Sequence, residues 1–138
     1  MYNVPESMKL SKNFTLNEFA CKDGSKTLTI DYELIEKLQQ LRDKVNKPVN
    51  ITSGYRSVAY NKKCGGIATS NHLLGKAADI KISRMTPLEV AKLADTFGFL
   101  GIGVYPTFTH VDTQGSTNGR KIYWKQGADG VKHFVDSL

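Results

Sequence analysis

The sequence predicts an α+β domain, a mainly antiparallel sheet flanked by helices. Two observations carry that class. One long amphipathic pattern lies early, where Leu34, Ile35, Leu38, Leu41 and Val45 recur at helical spacing with charges on the other face. Short apolar runs bounded by Gly, Pro and Asn dominate the rest. Strands gathered late in a chain, rather than alternating with long helices, point away from a parallel α/β sheet. The 138 residues fit one domain, with no repeat and no low-complexity linker.

Taken in order, residues 1–13 are polar and aperiodic and read as an N-terminal arm. Thr15 followed by Glu18 makes a capping box that starts a short helix. The run CKDGSK breaks it. Asp31 stands where it can cap the long helix, and Pro48 follows that helix's end. Residues 49–53 read as a strand stopped by Gly54, residues 55–59 as the start of a short helix, and 62–66 as a loop. Residues 77–82 alternate at their end and read as a strand. Thr86, Pro87 and Glu89 give a strong helix start, Val90, Leu93, Ala94 and Phe97 its apolar face, and Gly98 its end. Two strands at 101–105 and 108–112 flank Pro106, residues 115–119 turn, and 121–125 form a last short strand. The arm (1–13) and the domain (14–125) leave a tail, 126–138, that packs on the domain or trails it.

The composition, 40% hydrophobic and 23% charged, is that of an ordinary globular chain. A net charge of +6 and an isoelectric point near 9.3 fit either a solubility surplus or attraction to a polyanion such as an anionic cell wall. Lys62 and Lys63 are the densest basic feature, too little for a nucleic-acid footprint. No apolar run approaches the ~20 residues of a membrane span. The start, MYNVPESMKLSKNF, has no apolar region or small-residue cleavage site, so no secretory signal is expected. Cys21 and Cys64 lack CxxC spacing; free thiols are expected, with a single bridge left open.

The stretch SNHLLGKAAD places His72 seven residues before Asp79, with small residues between that let the chain fold back. His110 lies 31 residues beyond Asp79 on another expected strand. Imidazole nitrogen and carboxylate oxygen are zinc donors, and a catalytic site keeps a position open beside three of them. His110 and Asp112, at i and i+2 on a strand, share a face. Asp112 is therefore placed either as a general base or as an acceptor that orients an imidazole. The helix-borne HEXXH zinc motif is absent. Arg56, just after a strand, is placed to grip a carboxylate in a bidentate fork, or to lie solvated or stacked on Tyr55.

Together SGYRS, SNHLLGKAAD and GIGVYPTFTHVDTQG resemble the M15 family of zinc peptidases, in particular its small D-Ala-D-Ala carboxypeptidase-like branch. The resemblance runs from about Phe14 to Trp124. It implies the α+β fold shared with the hedgehog signalling domain, and one zinc ion on His72, Asp79 and His110. It implies that Arg56 binds substrate, with Ser70 and Tyr105 beside it. The implied substrates are bacterial peptidoglycan stem peptides, cut at bonds involving D-amino acids. Zinc would acidify a water and polarise the scissile carbonyl, a carboxylate would move the proton, and Arg56 would steady the oxyanion.

Several members carry an acid three residues before the last ligand. Here that residue is Thr107, so Asp112 is expected as the catalytic base, with His133 as another source. Gln114 stands where the branch often has Arg. The leading expectation is a monomeric phage or prophage wall hydrolase, made without a signal peptide and released through a lysis pore or carried on the virion. An endopeptidase cutting inside the stem or cross-bridge is the alternative. So is a non-catalytic zinc-containing wall-binding or phage structural domain.

Overall fold

Alternation along the strands decides which side chains meet the helices and which are left for the other face. A computed structural model describes residues 8–24, 28–67 and 69–138. The helices are α1 (Leu16–Phe19), α2 (Tyr32–Val45), α3 (Val58–Lys63) and α4 (Pro87–Asp95), with a 3-10 turn at Asn71–Leu74. The strands are β1 (Val49–Ser53), β2 (Ala77–Ile82), β3 (Gly101–Val104), β4 (Thr109–Asp112), β5 (Ile122–Gln126) and β6 (Lys132–Val135). They form one sheet in the order β1-β2-β4-β3-β5-β6, antiparallel except for the β3–β5 pair.

One sheet face carries Ala78, Ile80 and Ile82 of β2, Ile102 of β3 and Val111 of β4. These bury against Leu34, Ile35, Leu38 and Leu41 of α2 and Val90, Ala91 and Ala94 of α4. Burial of this apolar set, at ~25 cal/mol per Å², is the main favourable term for the fold. Because side chains alternate along a strand, Asp79, His110 and Asp112 fall on the opposite face.

Both capping boxes form. The Glu18 carboxylate accepts from Thr15 N at 2.6 Å, and Glu89 and Thr86 exchange bonds of 2.9 and 3.1 Å. The long helix begins at Tyr32, but Asp31 does not cap it through its side chain. Its carboxylate instead accepts from Thr113 Oγ1 at 2.8 Å, tying the helix start to the segment after β4. Asn46, left-handed at φ 52°, ends the helix ahead of Pro48.

The short helix begins at Val58, not Tyr55, because Ser57 supplies the cap by accepting from Tyr60 N at 3.2 Å. It takes in Lys62 and Lys63, expected in a loop; cations suit the negative end of a helix. The described end of the arm is tied to the start of the domain: Lys9 pairs with Thr15, and Leu10 N donates to Phe14 O at 2.8 Å. The tail supplies β6, which pairs antiparallel with β5, so 122–126 is not the last strand. Cys21 and Cys64 are both free.

Candidate metal centre

His72 sits in the 3-10 turn, which Ser70 opens by accepting from His72 N at 3.2 Å. Gly75 closes it at φ 70°, where a Cβ would stand 2.1 Å from Thr29 O. Only glycine meets both demands. The turn delivers the imidazole to the sheet face, beside Asp79 of β2 and His110 of β4, which are register partners. His72 Nε2 lies 3.3 Å and His110 Nδ1 3.2 Å from the same Asp79 Oδ1. One ligand atom from each residue falls within 4.8 Å of the others, and all three residues are buried.

The remaining atoms of these side chains are held from behind. His72 Nδ1 is 2.7 Å from Gly54 O. A carbonyl only accepts, so Nδ1 carries a proton and Nε2 is the nitrogen turned to the cluster. His110 Nε2 is 2.7 Å from Asp112 Oδ2, so in the neutral imidazole Nε2 donates to that carboxylate and Nδ1 keeps a free lone pair. Asp79 Oδ2 accepts from Arg56 at 3.2 Å. Two imidazole nitrogens and a carboxylate oxygen, each oriented by a further hydrogen bond, form a donor set that suits a divalent ion of the zinc type.

The charges support one another. Burial pushes the Asp79 carboxyl up, but hydrogen bonds from His110 and His72 outweigh it and hold it well below the usual carboxylate range. Burial lowers His110, but Asp112 and Asp79 override it, so the metal-free imidazole is pushed up to about 9. Asp112 is also raised by burial and, on balance, lowered by His110.

Two glycines make the room. On the sheet face a Cβ at Gly101 would stand 2.2 Å from Asp112 Oδ2, and one at Gly103 would stand 2.4 Å from Trp124. The bare floor at β3 lets Asp112 tuck behind His110. It also lets Trp124 of β5 reach across, its ring 5.0 Å from that of His110.

An open cleft of about 850 Å³ lies over the cluster and is lined by all three residues and by Arg56, Ser70, Tyr105 and Asp112. Arg56 donates to Ser53 at 3.0 Å, Asn61 at 3.3 Å and Asp79 at 3.2 Å. Tyr105 stacks on Phe108 at 4.4 Å, and its hydroxyl accepts from Trp124 Nε1 at 3.0 Å. Burial pushes this phenol up.

Asp112 is 1% exposed. Its Oδ2 is engaged by His110, and its Oδ1 accepts from Gln114 N at 3.1 Å and Gly115 N at 2.7 Å. Gln114 lines the cleft and accepts from Lys76 at 3.3 Å. Thr107 lines a different, smaller cavity. His133 alternates with Lys132 and Phe134, both of which line the cleft, and so points to the opposite face. It is not brought to the cluster.

Sequence reasoning missed the β5–β6 wall: Trp124, Lys132 and Phe134 all line the cleft. The signal was there. Gly127 to Gly130 separates two runs of strand-forming residues, a hairpin pattern. The Gly54 carbonyl and the gaps at Gly101 and Gly103 were missed as well, since only the folded register reveals them.

Comparison with known proteins bears on the same face. The chain is 33% identical over 99 residues to a zinc D-Ala-D-Ala carboxypeptidase of Streptomyces albus G, covering 69% of this chain and 38% of that protein. It is 34% identical over 99 residues to the peptidoglycan L,D-endopeptidase MepK of Escherichia coli K12, covering 65% of this chain and 54% of that one. For a probable MepK of Haemophilus influenzae the figures are 32% over 94 residues, 61% and 50%. The chain thus spans between about a third and just over half of the length of these relatives. The Peptidase M15 family model matches residues 12–112. Since that span runs from ahead of α1 through all three clustered side chains to Asp112, the chain belongs to the Peptidase M15 family.

Proposed function

We propose that this chain is a zinc-dependent peptidase that hydrolyses peptidoglycan stem peptides at bonds involving D-amino acids. The observation that carries the reading is the convergence of His72 Nε2, Asp79 Oδ1 and His110 Nδ1 on the floor of an open cleft, with Arg56 beside them. The names of the relatives supply the substrate class. A net charge of +6 suits an anionic wall.

His72, Asp79 and His110 would hold the ion, which when bound supplies Lewis acidity toward a scissile carbonyl. Arg56 uses three of its five N–H donors on Ser53, Asn61 and Asp79, which leaves two for a substrate oxygen. Ser70 shapes the turn under His72, and Tyr105, joined to Trp124, lines the same cleft. We assign Asp112 to positioning His110 rather than to general-base work. Both its oxygens are committed, and it sits behind the imidazole. Among the described residues lining the cleft, Asp79 and Asp112 are the only carboxylates.

The reading includes carboxypeptidase action at D-Ala-D-Ala. An endopeptidase is the second reading, favoured by a cleft lined from Cys64 through the cluster to Lys132, with room for peptide on both sides of a cut. Mass spectrometry of purified peptidoglycan and soluble stem pentapeptide tests both. The arms are zinc-loaded protein, chelated protein and His110→Ala. Loss of a terminal alanine identifies the carboxypeptidase, and internal cuts the endopeptidase. Absence of product from zinc-loaded protein on walls of several chemistries would sink the peptidase reading. A phage or prophage lytic role is the part that turbidity loss of intact host cells tests.

A further inference from the structure

The β5–β6 hairpin lies beyond the residues matched by the family model, yet it walls the cleft. We propose that Lys132 is a carboxylate-binding subsite within about three residues of the scissile bond, so that the preferred substrate is an acidic peptide. This rests on the peptidase reading above.

Register places Lys132 opposite Gln126 and Phe134 opposite Trp124, on the face that carries the cluster. The Lys132 ammonium lies 4.8 Å from the Trp124 ring centroid and 5.9 Å from that of Phe134. Trp124 in turn lies 5.0 Å from the His110 ring. The cation is thus held one aromatic ring away from the candidate metal centre.

Unlike Arg56, paired with Asp79 at 3.2 Å, and Lys121, paired with Asp95 at 2.6 Å, Lys132 has no carboxylate within 4.0 Å among the described residues. Partial desolvation against the rings pushes its pKa down, and the more distant Asp112 carboxylate pulls it up by less, the balance of a half-covered ammonium with no anion in contact. The aromatic rings hold the cation in place but leave its charge unneutralised. An incoming carboxylate supplies what is missing.

The 5.0 Å step between the His110 and Trp124 rings and the 4.8 Å step from Trp124 to the ammonium put that cation no more than about 10 Å from the His110 ring. An extended peptide covers ~3.3–3.6 Å per residue. The recognised carboxylate therefore lies no more than about three residues from the cut. Phe134, 65% exposed at the rim, offers apolar contact to the side chain between.

The test uses pairs of stem-type peptides that differ only in one carboxyl, free or amidated, within three residues of the cut. Trp124 is the only tryptophan, so its fluorescence reports binding at the subsite itself. Rapid mixing with zinc-loaded full-length protein reads binding before turnover. The free acid is expected to bind about tenfold tighter than the amide, a charge-assisted contact. Lys132→Met keeps the apolar stem over Trp124 and should bind acid and amide alike, through weaker binding of the acid alone. Lys132→Arg should restore the preference.

Equal affinity of wild type for acid and amide, no binding of either, or a preference that survives in Lys132→Met overturns the subsite. A preference that follows Lys132 while no peptide is ever cleaved keeps the subsite and removes the peptidase reading.

Discussion

Substituting Asp112 with asparagine separates positioning from proton transfer. Its two oxygens each face donors: Oδ2 meets His110 Nε2 at 2.7 Å, and Oδ1 meets Gln114 N at 3.1 Å and Gly115 N at 2.7 Å. An asparagine amide can satisfy only one side. With its NH₂ toward His110, Nε2 must become an acceptor. The proton then moves to Nδ1, the nitrogen the cluster needs free. With its NH₂ toward the Gln114–Gly115 backbone, buried amide groups lose their acceptor at about 1–3 kcal/mol. Either way the ligand set is weakened. Loss of an orienting partner behind a metal-binding histidine costs typically 10–100-fold in affinity. We expect Asp112→Asn to bind zinc about 10–100-fold more weakly, read by competition with a chromogenic chelator. Activity should recover in excess zinc to within about tenfold of wild type. Zinc affinity within twofold of wild type, with turnover down by the ~10²–10⁴ of a lost general base, would refute this assignment and return Asp112 to proton transfer.

Gly103→Ala places a Cβ 2.4 Å from Trp124, so the ring must lift and its 3.0 Å bond to Tyr105 breaks. A loss of about 1–3 kcal/mol and a red-shifted tryptophan emission are expected; an unchanged spectrum would contradict the packing. Arg56→Lys keeps the charge but not the fork that joins Ser53, Asn61 and Asp79. Turnover should fall by ~10²–10³ with zinc still bound, and a rate within threefold of wild type would remove Arg56 from oxyanion stabilisation. In chelated protein, Asp79 and Asp112 raise His110 to about 9. That stabilisation is fully present below the ordinary histidine pKa of ~6.5 and is lost as pH rises through 9. The melting temperature of the chelated wild type should therefore drop between pH 6.5 and 9.5 more steeply than that of Asp112→Asn. Zinc uptake at neutral pH should release a proton, so zinc affinity weakens as pH falls; uptake without proton release would argue against a protonated His110.

Local rules carried much of this protein. The α2 stripe from Leu34 to Leu41 and the capping boxes at Thr15 and Thr86 depend on patterns along the chain, and sequence spacing reports those directly. The His72–Asp79–His110 set is different: its spacing alone is a weak signal, the family resemblance singles it out, and the fold brings the three side chains together. Period-two alternation likewise puts His110 and Asp112 on one face from their spacing alone. What it could not report is which imidazole nitrogen turns toward Asp79. That is decided by the gap at Gly101, the register partner of Asp112 on a strand that precedes it in the chain. Asp31 reads as a helix cap but is claimed by Thr113, 82 residues away. The tail carries a hairpin pattern but no sign of what it walls; only when β5 offers an edge do Lys132 and Phe134 reach the cleft. Spacing along a chain determines which face a side chain takes. Which atom of it meets which partner is set by strands brought together from distant parts of the sequence, and only the tertiary structure decides that.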